Sequence, residues 1–474
     1  MEARTPRLHR FVAVVLLFLL PWPTLAADRL SPRQLRQDLE VVADTLRSQH
    51  PELAHSVAPA ELETALASAR KRLNRPMDRD QAWLALASLN PLLADAHAMI
   101  GYPDWRADAK AHLAGGGGFF PYRVHVDDER GELYVVSELS GAASEYARAR
   151  IAKINGVASA RVIERLMALT HGDTPAFRAR LLEQRWFYFY WRVYGSPARF
   201  ALTMAPGDLA SPPRSIDVAA MKTLPALLVA DSSFEWTFRF ELRPDQAAVL
   251  TIDSFVWDDP ERFYRFTDEA FAQIKQHRVR KLIVDIRDNG GGDDELWMRG
   301  VLRHIADRPY RTGSTYRKRV LSTSSNPGEV AGSVVKGEKT SWIEPEANDR
   351  LHYDGELIVL IGPATYSSSV LFANTVQDFG FGTIAGARGG VVRSRQSGSV
   401  QSALLPNTRL KFYWPRFVLD RPVASETSVW LQPDWIVPDD PFDAQVAIDA
   451  VLAGEPPAKP VAKSSRSSLP RTRE

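Results

Sequence analysis

The chain of 474 residues contains no cysteine, so disulfides and zinc sites built on thiolates are both excluded. Charge of one sign is not in excess either, because 59 Lys and Arg stand against 57 Asp and Glu. A nucleic-acid binder would show a basic surplus, and nucleic acid is therefore not expected as a partner. The length alone predicts roughly two to four domains, held together by their apolar cores.

Long hydrophobic runs are also scarce. One apolar stretch, Phe11 to Leu20, follows three arginines and precedes a small-residue cleavage site at residues 24–26. This order predicts a signal peptide over residues 1–26, although an uncleaved anchor is the alternative. Residues 1–26 hold three Arg and one Glu, so 56 basic and 56 acidic residues remain. The mature chain is expected to be soluble and exported, either periplasmic or secreted, with no stable membrane span.

The next region reads as helical. Apolar residues recur at helical spacing between Leu35 and Leu93, which predicts an N-terminal helical cap over residues 27–114. The pattern ends in LLADAHAMIGYP, where Asp95 and His97 interrupt a long apolar run. A lone histidine beside apolar residues is usually packed in a core, and this alternative to a functional role stays open.

A β-rich module is predicted over residues 115–204. After the glycines at 115–118, residues 119–139 predict two strands joined by a polar turn. A strand, the turn Asn155-Gly156 and a helix follow, an order that resembles the carboxy-terminal half of PDZ modules in exported bacterial proteases. The aromatic run at 186–191 indicates core and interdomain packing, or the lining of a peptide groove. Residues 205–233 predict a connecting loop, within a linker and strand that reach residue 245.

Residues 246–453 predict a catalytic α/β domain with a mainly parallel sheet, because strand and helix patterns alternate from Ala247 onward. The continuous aliphatic run from Leu357 to Ile361 is typical of a strand buried on both faces. Residues 308–350 are polar and predict an irregular inserted loop near the site. The tail, residues 454–474, is rich in Pro, Ser and basic residues and is expected to be disordered.

Two loops at strand ends are candidates for chemistry. They are Asp288 to Gly292, with three adjacent glycines, and Ala364 to Ser367. Ligands of parallel sheets bind at the carboxyl ends of the strands, and glycine N–H groups can approach an oxyanion closely. A serine at a sharp strand-to-helix turn suits a nucleophile. The alternative is that Ser367 or Ser368 merely caps the helix.

Missing motifs exclude several rival chemistries. There is no Gly-Lys-Ser/Thr of a P-loop, and the acidic residues 293–295 would repel phosphate. The alternating acidic ligands of an EF-hand are absent, which excludes that calcium site. No G-x-S-x-G occurs, which argues against an α/β-hydrolase.

Four motifs in sequence carry a family resemblance. LIVDIRDNGGG, followed about 80 residues later by LIGPATYSSSV, resembles the tail-specific, carboxy-terminal-processing serine proteases and the tricorn core. LLADAHAMI looks like the Asp-x-His motif of the tricorn-type branch, and LQPDWIV matches the family's Gly-x-x-Pro-Asp strand with tryptophan in place of glycine. The resemblance covers nearly the whole mature chain. It implies a crotonase/ClpP-like catalytic sheet with a helical cap and a PDZ-like module.

The resemblance also implies a nucleophile and indicates which base is missing. Ser367 matches the nucleophile, because Thr365-Tyr366-Ser367 takes the place of the family's Thr-Ala-Ser. The processing-protease branch has a lysine 25 positions later, where this chain has Val392 followed by Arg393. Arginine cannot act as a neutral base, and Lys411 is the only lysine that follows before the tail. The Ser–Lys dyad is therefore absent.

In the tricorn-type branch a histidine of the cap is the base, and His97 fills that place. The resemblance puts the acidic partner near the Pro-Asp motif, where Glu426 is the best match. Gly291 or Gly292, together with the N–H of Ser368, would form the oxyanion hole.

These observations predict an exported serine peptidase that hydrolyses protein or peptide substrates through a Ser-His-Glu triad. No metal or organic cofactor is implied. A noncatalytic protein that binds peptide or lipid on the same scaffold is the alternative. The substrate, the oligomeric state and peptide binding by the PDZ-like module are left open by the sequence.

Overall fold

The computed structural model describes residues 29–205, 212–230, 233–322, 324, 326–388, 393–423 and 429–457. The predicted signal peptide, most of the predicted tail, Val392 and Glu426 lie outside these ranges. Among the helices of the described ranges, none combines the length and the apolar character that crossing a membrane requires.

Helices make up the N-terminal region and cover the central sheet. A short 3-10 helix, Leu302–His304, follows the twelfth of them. The α-helices of the described residues are α1 (Pro32–Gln49), α2 (Leu53–Ser56), α3 (Pro59–Arg72), α4 (Arg79–Ala87), α5 (Asn90–Leu93), α6 (Trp105–Ala114), α7 (Ser159–Met167), α8 (Pro175–Tyr194), α9 (Ala226–Ala230), α10 (Phe234–Thr237), α11 (Pro260–Gln276), α12 (Asp294–Gly300), α13 (Ser368–Phe379) and α14 (Gln445–Ala453).

The strands form four sheets within the described ranges. They are β1 (Met99–Gly101), β2 (Tyr122–Asp127), β3 (Glu132–Glu138), β4 (Arg150–Ile154), β5 (Val157–Ala158), β6 (Arg199–Met204), β7 (Arg214–Ala219), β8 (Phe238–Arg243), β9 (Ala247–Ile252), β10 (Lys281–Asp285), β11 (Thr315–Arg319), β12 (Val334–Glu338), β13 (Glu356–Ile361), β14 (Thr383–Gly386), β15 (Gln396–Gly398), β16 (Gln401–Leu404), β17 (Lys411–Trp414), β18 (Phe417–Leu419) and β19 (Trp435–Ile436).

The N-terminal helices form where the apolar spacing predicts them. α1 begins with a capping box, in which Ser31 Oγ accepts from the N–H of Gln34 and the Gln34 side chain accepts from the N–H of Ser31. The buried stripe of α1 runs from Leu35 to Leu46, and α1 packs against α3. The predicted helical character of this region is confirmed.

The central sheet has six strands in the order β19-β14-β13-β10-β9-β8. Every neighbouring pair is parallel except β8 and β9. Alternate residues of β10 enter different cores: Val284 packs with α11, α12 and α13, whereas Ile283 packs with α14. Burial on both faces explains the continuous aliphatic runs. The predicted α/β fold with a mainly parallel sheet is confirmed.

A second sheet is antiparallel, in the order β2-β3-β4-β6-β7, and α8 packs on β2. The predicted hairpin at residues 119–139 is confirmed by β2 and β3. The prediction of a loop over residues 205–233 is wrong, because β7 pairs with β6 along its whole length and α9 follows. The side chains of β7 are exposed or half-buried, so its sequence lacks the apolar alternation that marks a strand.

A third sheet has the order β12-β11-β18-β15. The prediction that residues 308–350 are irregular is therefore wrong, since β11 and β12 form an antiparallel pair there. Both strands contain polar residues, and none of their side chains is fully buried. The apolar alternation by which a strand is recognised in a sequence is therefore missing. This sheet includes β15, which reaches the candidate site.

The N-terminal region and the catalytic region share the small sheet β1-β17-β16. β1 pairs antiparallel with β17, so that Ile100 stands opposite Phe412. Asp38 of α1 adds a second junction, because its carboxylate accepts from the N–H groups of Asn407 and Thr408 in the β16–β17 turn. The turn that carries His97 directly precedes β1 and is thereby held against the catalytic region.

Candidate active site

Ser367 stands at a sharp turn between β13 and α13. Its φ of 56° and ψ of −124° are unusual for a residue other than glycine, and such a conformation persists only where the surroundings fix it. Thr365 provides part of that support, because its hydroxyl donates to the carbonyl of Ile286 at 2.8 Å and accepts from the N–H of Gly362 at 3.0 Å. The N–H of Ser367 itself donates to Gln396 Oε1 at 3.0 Å.

The three consecutive serines differ in what their hydroxyls do. Ser368 Oγ accepts from Trp297 Nε1 at 2.9 Å and donates to Asp294, and Ser369 Oγ donates to Asn289 Oδ1 at 2.6 Å. The hydroxyl of Ser367 makes no hydrogen bond to any described residue and does not cap α13. The helix-cap alternative therefore does not account for Ser367. Its hydroxyl is available to react.

The glycine loop after β10 lies directly against this turn. A Cβ atom on Gly291 would stand 2.7 Å from Ser367 Cβ and 2.9 Å from the amide nitrogen of Ser368, and Gly291 has a φ of +100°. Only glycine fits there. The N–H of Gly291 donates to Asn289 Oδ1 at 2.8 Å, whereas the N–H groups of Gly292 and Ser368 donate to no described residue. These two donors are free to hold an anionic oxygen.

His97 lies in the turn between α5 and β1 and faces the catalytic region. Its ring centroid is 4.9 Å from that of Tyr366, the residue that precedes Ser367. Nδ1 lies 2.8 Å from Ser397 Oγ, and Nε2 makes no hydrogen bond to a described residue, Ser367 included. Burial lowers the pKa of His97, while the charge of Asp95 acts to raise it. The histidine is not packed in its own helical core.

Asp95 connects several of these groups from a fully buried position. Its carboxylate accepts from the N–H of His97 at 2.7 Å, from Ser397 Oγ at 2.9 Å and from Ser56 Oγ at 3.0 Å. Burial raises the pKa of this carboxyl group, but neighbouring histidines and the N–H of His97 lower it to about 2. Asp95 is therefore ionised at neutral pH, as an acceptor of several hydrogen bonds must be.

Tyr366 connects α8 to the site. Its hydroxyl donates to Asp173 Oδ1 at 3.0 Å and accepts from the N–H of Ala96 at 3.1 Å, and its ring lies 5.0 Å from that of Phe177. Burial, with the charge of Asp95 adding to it, raises the pKa of Asp173 to about 7. The hydrogen bond from the N–H of Ala96 to Tyr366 thus fixes the turn that carries His97 against the catalytic region.

A cavity of about 450 Å³ opens beside the start of the glycine loop. It lies between β2, the first turns of α8 and the carboxyl ends of β9 and β10. Its walls are strongly charged. Arg180 donates to both oxygens of Asp288 there, at 2.7 and 2.9 Å, and fixes the residue with which the loop begins.

Residues 246–412, which contain the strained turn and the glycine loop, match the model of peptidase family S41. They form an S41 peptidase domain. The chain is a serine-type peptidase, and the match to family S41 supports the resemblance to tail-specific proteases that its sequence carries. No curated protein matches the chain.

Solved structures with a similar fold include three of CPAF. Mature CPAF matches with a TM-score of 0.57 at 15% identity, over 88% of this chain and 94% of that chain. Mature CPAF complexed with lactacystin gives 0.58 at 15% identity, over 88% and 96%. A CPAF mutant gives 0.62 at 14% identity, over 88% and 95%. At these identities the likeness establishes a shared fold.

Two further candidates are the acidic partner Glu426 and the alternative base Lys411. Glu426 lies outside the described residues. Lys411, the alternative base, pairs with Gly101 in the β1–β17 ladder, and its ammonium lies 4.9 Å from the ring centroid of Tyr413. Neither Ser367 nor His97 contacts it through any interaction of the described residues.

The sequence reasoning missed two residues of β15 that reach both halves of the site. Gln396 accepts from the N–H of Ser367, and Ser397 contacts Nδ1 of His97. Neither residue belongs to a motif, since each acts through a contact with a residue far away in the chain. Asp95 did carry a signal, because it belongs to the Asp-x-His motif, but it was given no role.

Proposed function

We propose that this peptidase cleaves peptide bonds by covalent catalysis, with Ser367 as nucleophile and His97 as general base. The observation that supports it best is the contrast among the three serines of the turn. Ser367 alone has a hydroxyl without a partner among the described residues, and it occupies the strained position next to the glycine loop. A strained strand-to-helix turn that exposes a serine is a recurring device of serine hydrolases.

The chemistry follows the usual order of acyl transfer. Ser367 Oγ attacks the substrate carbonyl carbon while its proton passes to Nε2 of His97. The oxyanion accepts hydrogen bonds from the free N–H groups of Gly292 and Ser368. His97 then gives the proton to the leaving amine, and water hydrolyses the acyl-enzyme by the same route in reverse. The approach of His97 to Ser367 tightens when substrate binds, because catalytic hydrogen bonds are often long in the free enzyme.

Glu426 is the carboxylate that the family resemblance supplies as the third member of the triad. The proposal for Glu426 rests on its place near the Pro-Asp motif, and replacing it by glutamine tests it. Export to the periplasm or the medium is also part of the proposal, on the strength of the predicted signal peptide. The PDZ-like character of the β2–β7 sheet remains a prediction from the order of its elements.

Labelling with a fluorophosphonate tests the nucleophile without knowledge of the substrate. The wild-type protein should gain one covalent adduct, mapped to Ser367 by peptide mass spectrometry. Ser367→Ala should abolish labelling with little change in thermal unfolding, whereas Ser368→Ala and Ser369→Ala are matched controls that should retain it. A wild-type protein that is not labelled at all would contradict the role of Ser367 as an activated nucleophile. Loss of labelling only in one of the two controls would move the nucleophile to that serine.

A further inference from the structure

Asp95 is the centre of a buried chain of hydrogen bonds with a histidine at each end. On one side, Ser397 Oγ lies 2.9 Å from Asp95 Oδ1 and 2.8 Å from His97 Nδ1. On the other side, Ser56 Oγ lies 3.0 Å from Asp95 Oδ2 and 3.1 Å from His50 Nε2. The two arms use the same chemistry, in which a serine hydroxyl stands between a carboxylate and an imidazole.

The number of protons on the first arm determines the tautomer of His97. An ionised Asp95 can only accept, so Ser397 uses its single hydroxyl proton toward that carboxylate. Ser397 Oγ must then accept from Nδ1 of His97, which therefore carries the ring proton. The lone pair of neutral His97 lies on Nε2, the nitrogen without a partner among the described residues. This is the tautomer that can take a proton from a serine nucleophile.

The second arm has a similar set of hydrogen bonds, but its histidine has no free nitrogen. Nδ1 of His50 accepts from the N–H of Glu52 at 3.1 Å, so the ring proton is on Nε2 and is donated to Ser56. Both nitrogens of His50 are engaged and the residue is only 3% exposed. This arm can stabilise the fold and support Asp95, but it has no free nitrogen with which to act as a base.

We propose that Ser397 and Asp95 are positioning residues, which hold His97 in the tautomer competent to act as a base and stabilise its protonated form through the serine hydroxyl. The inference rests on the proposed function of Ser367 and His97. It gives Ser397 the Nδ1 proton that Glu426 would otherwise accept, so the positioning roles of Asp95 and Glu426 are alternatives. No proton moves to Asp95: the proton of Ser367 travels to Nε2 of His97 and on to the leaving amine. Ser397 keeps its own proton throughout. Asp95 Oδ1 is 3.8 Å from Nδ1, close enough to stabilise the imidazolium charge.

Other ionisable groups surround this pair. His55 and His171 are buried, and burial as the largest cause lowers their pKa values to about 4 and about 3, so both are neutral at neutral pH. Asp173, which lies two residues before α8, faces Tyr366, and Arg393 precedes β15 by three positions. Asp95 is therefore the ionised carboxylate that is hydrogen-bonded, through Ser397, to the ring of His97.

The experiment compares the loss of the serine hydroxyl on the first arm with the same loss on the second arm. The second-order rate constant for fluorophosphonate labelling is measured against pH for wild type, Ser397→Ala, Ser56→Ala and Ser397→Thr. Ser397→Ala should lower the rate constant about 10²-fold, the scale of a general base's contribution. Ser56→Ala removes the same hydroxyl from the arm that does not reach His97, and it should lower the rate constant much less than Ser397→Ala does. Ser397→Thr keeps a hydroxyl and should recover most of the loss.

A second readout does not depend on activity. The pKa of His97 is measured by residue-specific hydrogen–deuterium exchange at the imidazole C2 position in the intact protein. Asp95→Asn and Ser397→Ala should lower this pKa, because each weakens the support of the imidazolium form, whereas Ser56→Ala should change it less. If the wild type is not labelled at Ser367, the proposed function fails, and the pKa shifts alone then decide this inference.

Three results would overturn the inference. The first is a wild-type labelling rate in Ser397→Ala. The second is an equal loss in Ser56→Ala and Ser397→Ala, which would show that both serines act only through stability. The third is a pKa of His97 that does not change in Asp95→Asn and Ser397→Ala. A large loss in Glu426→Gln with none in Ser397→Ala would give the role to Glu426.

Discussion

At the scale of single residues, the candidate site depends on which polar atoms are engaged and which are not. Ser368 and Ser369 use their hydroxyls within the protein, and Ser367 does not. His50 uses both ring nitrogens, and His97 uses one. A reactive atom in a protein interior must be kept free of partners, and the neighbouring residues of the same type show how readily it would otherwise be engaged.

The pH dependence of the reaction is a residue-scale prediction. A general base must be neutral, so the labelling rate should rise with pH through the pKa of His97 and then level off. Burial lowers this pKa below the ordinary value of 6.5, although Asp95 opposes the shift. The acid limb should therefore have its midpoint below 6.5. The measurement is the labelling rate constant from pH 4 to 9, and an unchanged limb in His97→Ala would assign the titration to another group.

At the scale of elements, the site depends on how the N-terminal helices are attached to the catalytic region. Buried Asp38 of α1 accepts from two backbone N–H groups and from Asn407 Nδ2 in the β16–β17 turn. β1 pairs with β17 in the same place. Because His97 lies between α5 and β1, its position follows from these contacts and not from the catalytic sheet alone.

Removing the Asp38 carboxylate tests this attachment. Asp38→Ala leaves two backbone donors without an acceptor, which should cost about 1–3 kcal/mol of stability and lower the midpoint of chemical unfolding. The labelling rate should fall as well, because the turn with His97 loses part of its support. Asp44→Ala on the same helix is the control: its carboxylate is 74% exposed and pairs only with Arg47 in the described residues, so little change is expected. Equal effects of the two substitutions would contradict a specific role for Asp38.

The success of sequence reasoning differed between elements for physical reasons. β10 and β13 are buried on both faces, and their aliphatic runs revealed them. β7, β11 and β12 have polar or half-exposed side chains and are held by backbone pairing, which leaves no mark in a hydrophobic pattern. The roles of Gln396 and Ser397 arise from contacts with residues 29 and 300 positions away, and such contacts are not encoded locally.

At the scale of the whole molecule, the N-terminal helices, the antiparallel sheets and the central sheet all meet at the candidate site. His97 comes from the N-terminal region, Asp173 precedes α8, Ser397 comes from the third sheet and Ser367 from the central sheet. The chain must therefore fold as a whole before the site exists. An unfolded or partly folded chain should therefore be inactive.

Export is the prediction at this scale. If residues 1–26 are a cleaved signal peptide, expression of the full sequence in a bacterium with a periplasm should yield a periplasmic protein whose sequence begins at Ala27. The intact mass and the N-terminal sequence of the purified protein check this. A protein found in the membrane fraction with Met1 retained would instead support the anchor.

The position of Gln396 and Ser397 next to each other on β15 has a mechanical consequence. One strand of three residues holds the backbone of the nucleophile with one side chain and the ring of the base with the next. A shift of that strand would misalign both groups at once. Activity should therefore be lost in a single step, with no intermediate state in which only one of the two groups is in place. The alignment of the site therefore depends on the strands of the same sheet, β11, β12 and β18, although none of them carries a motif.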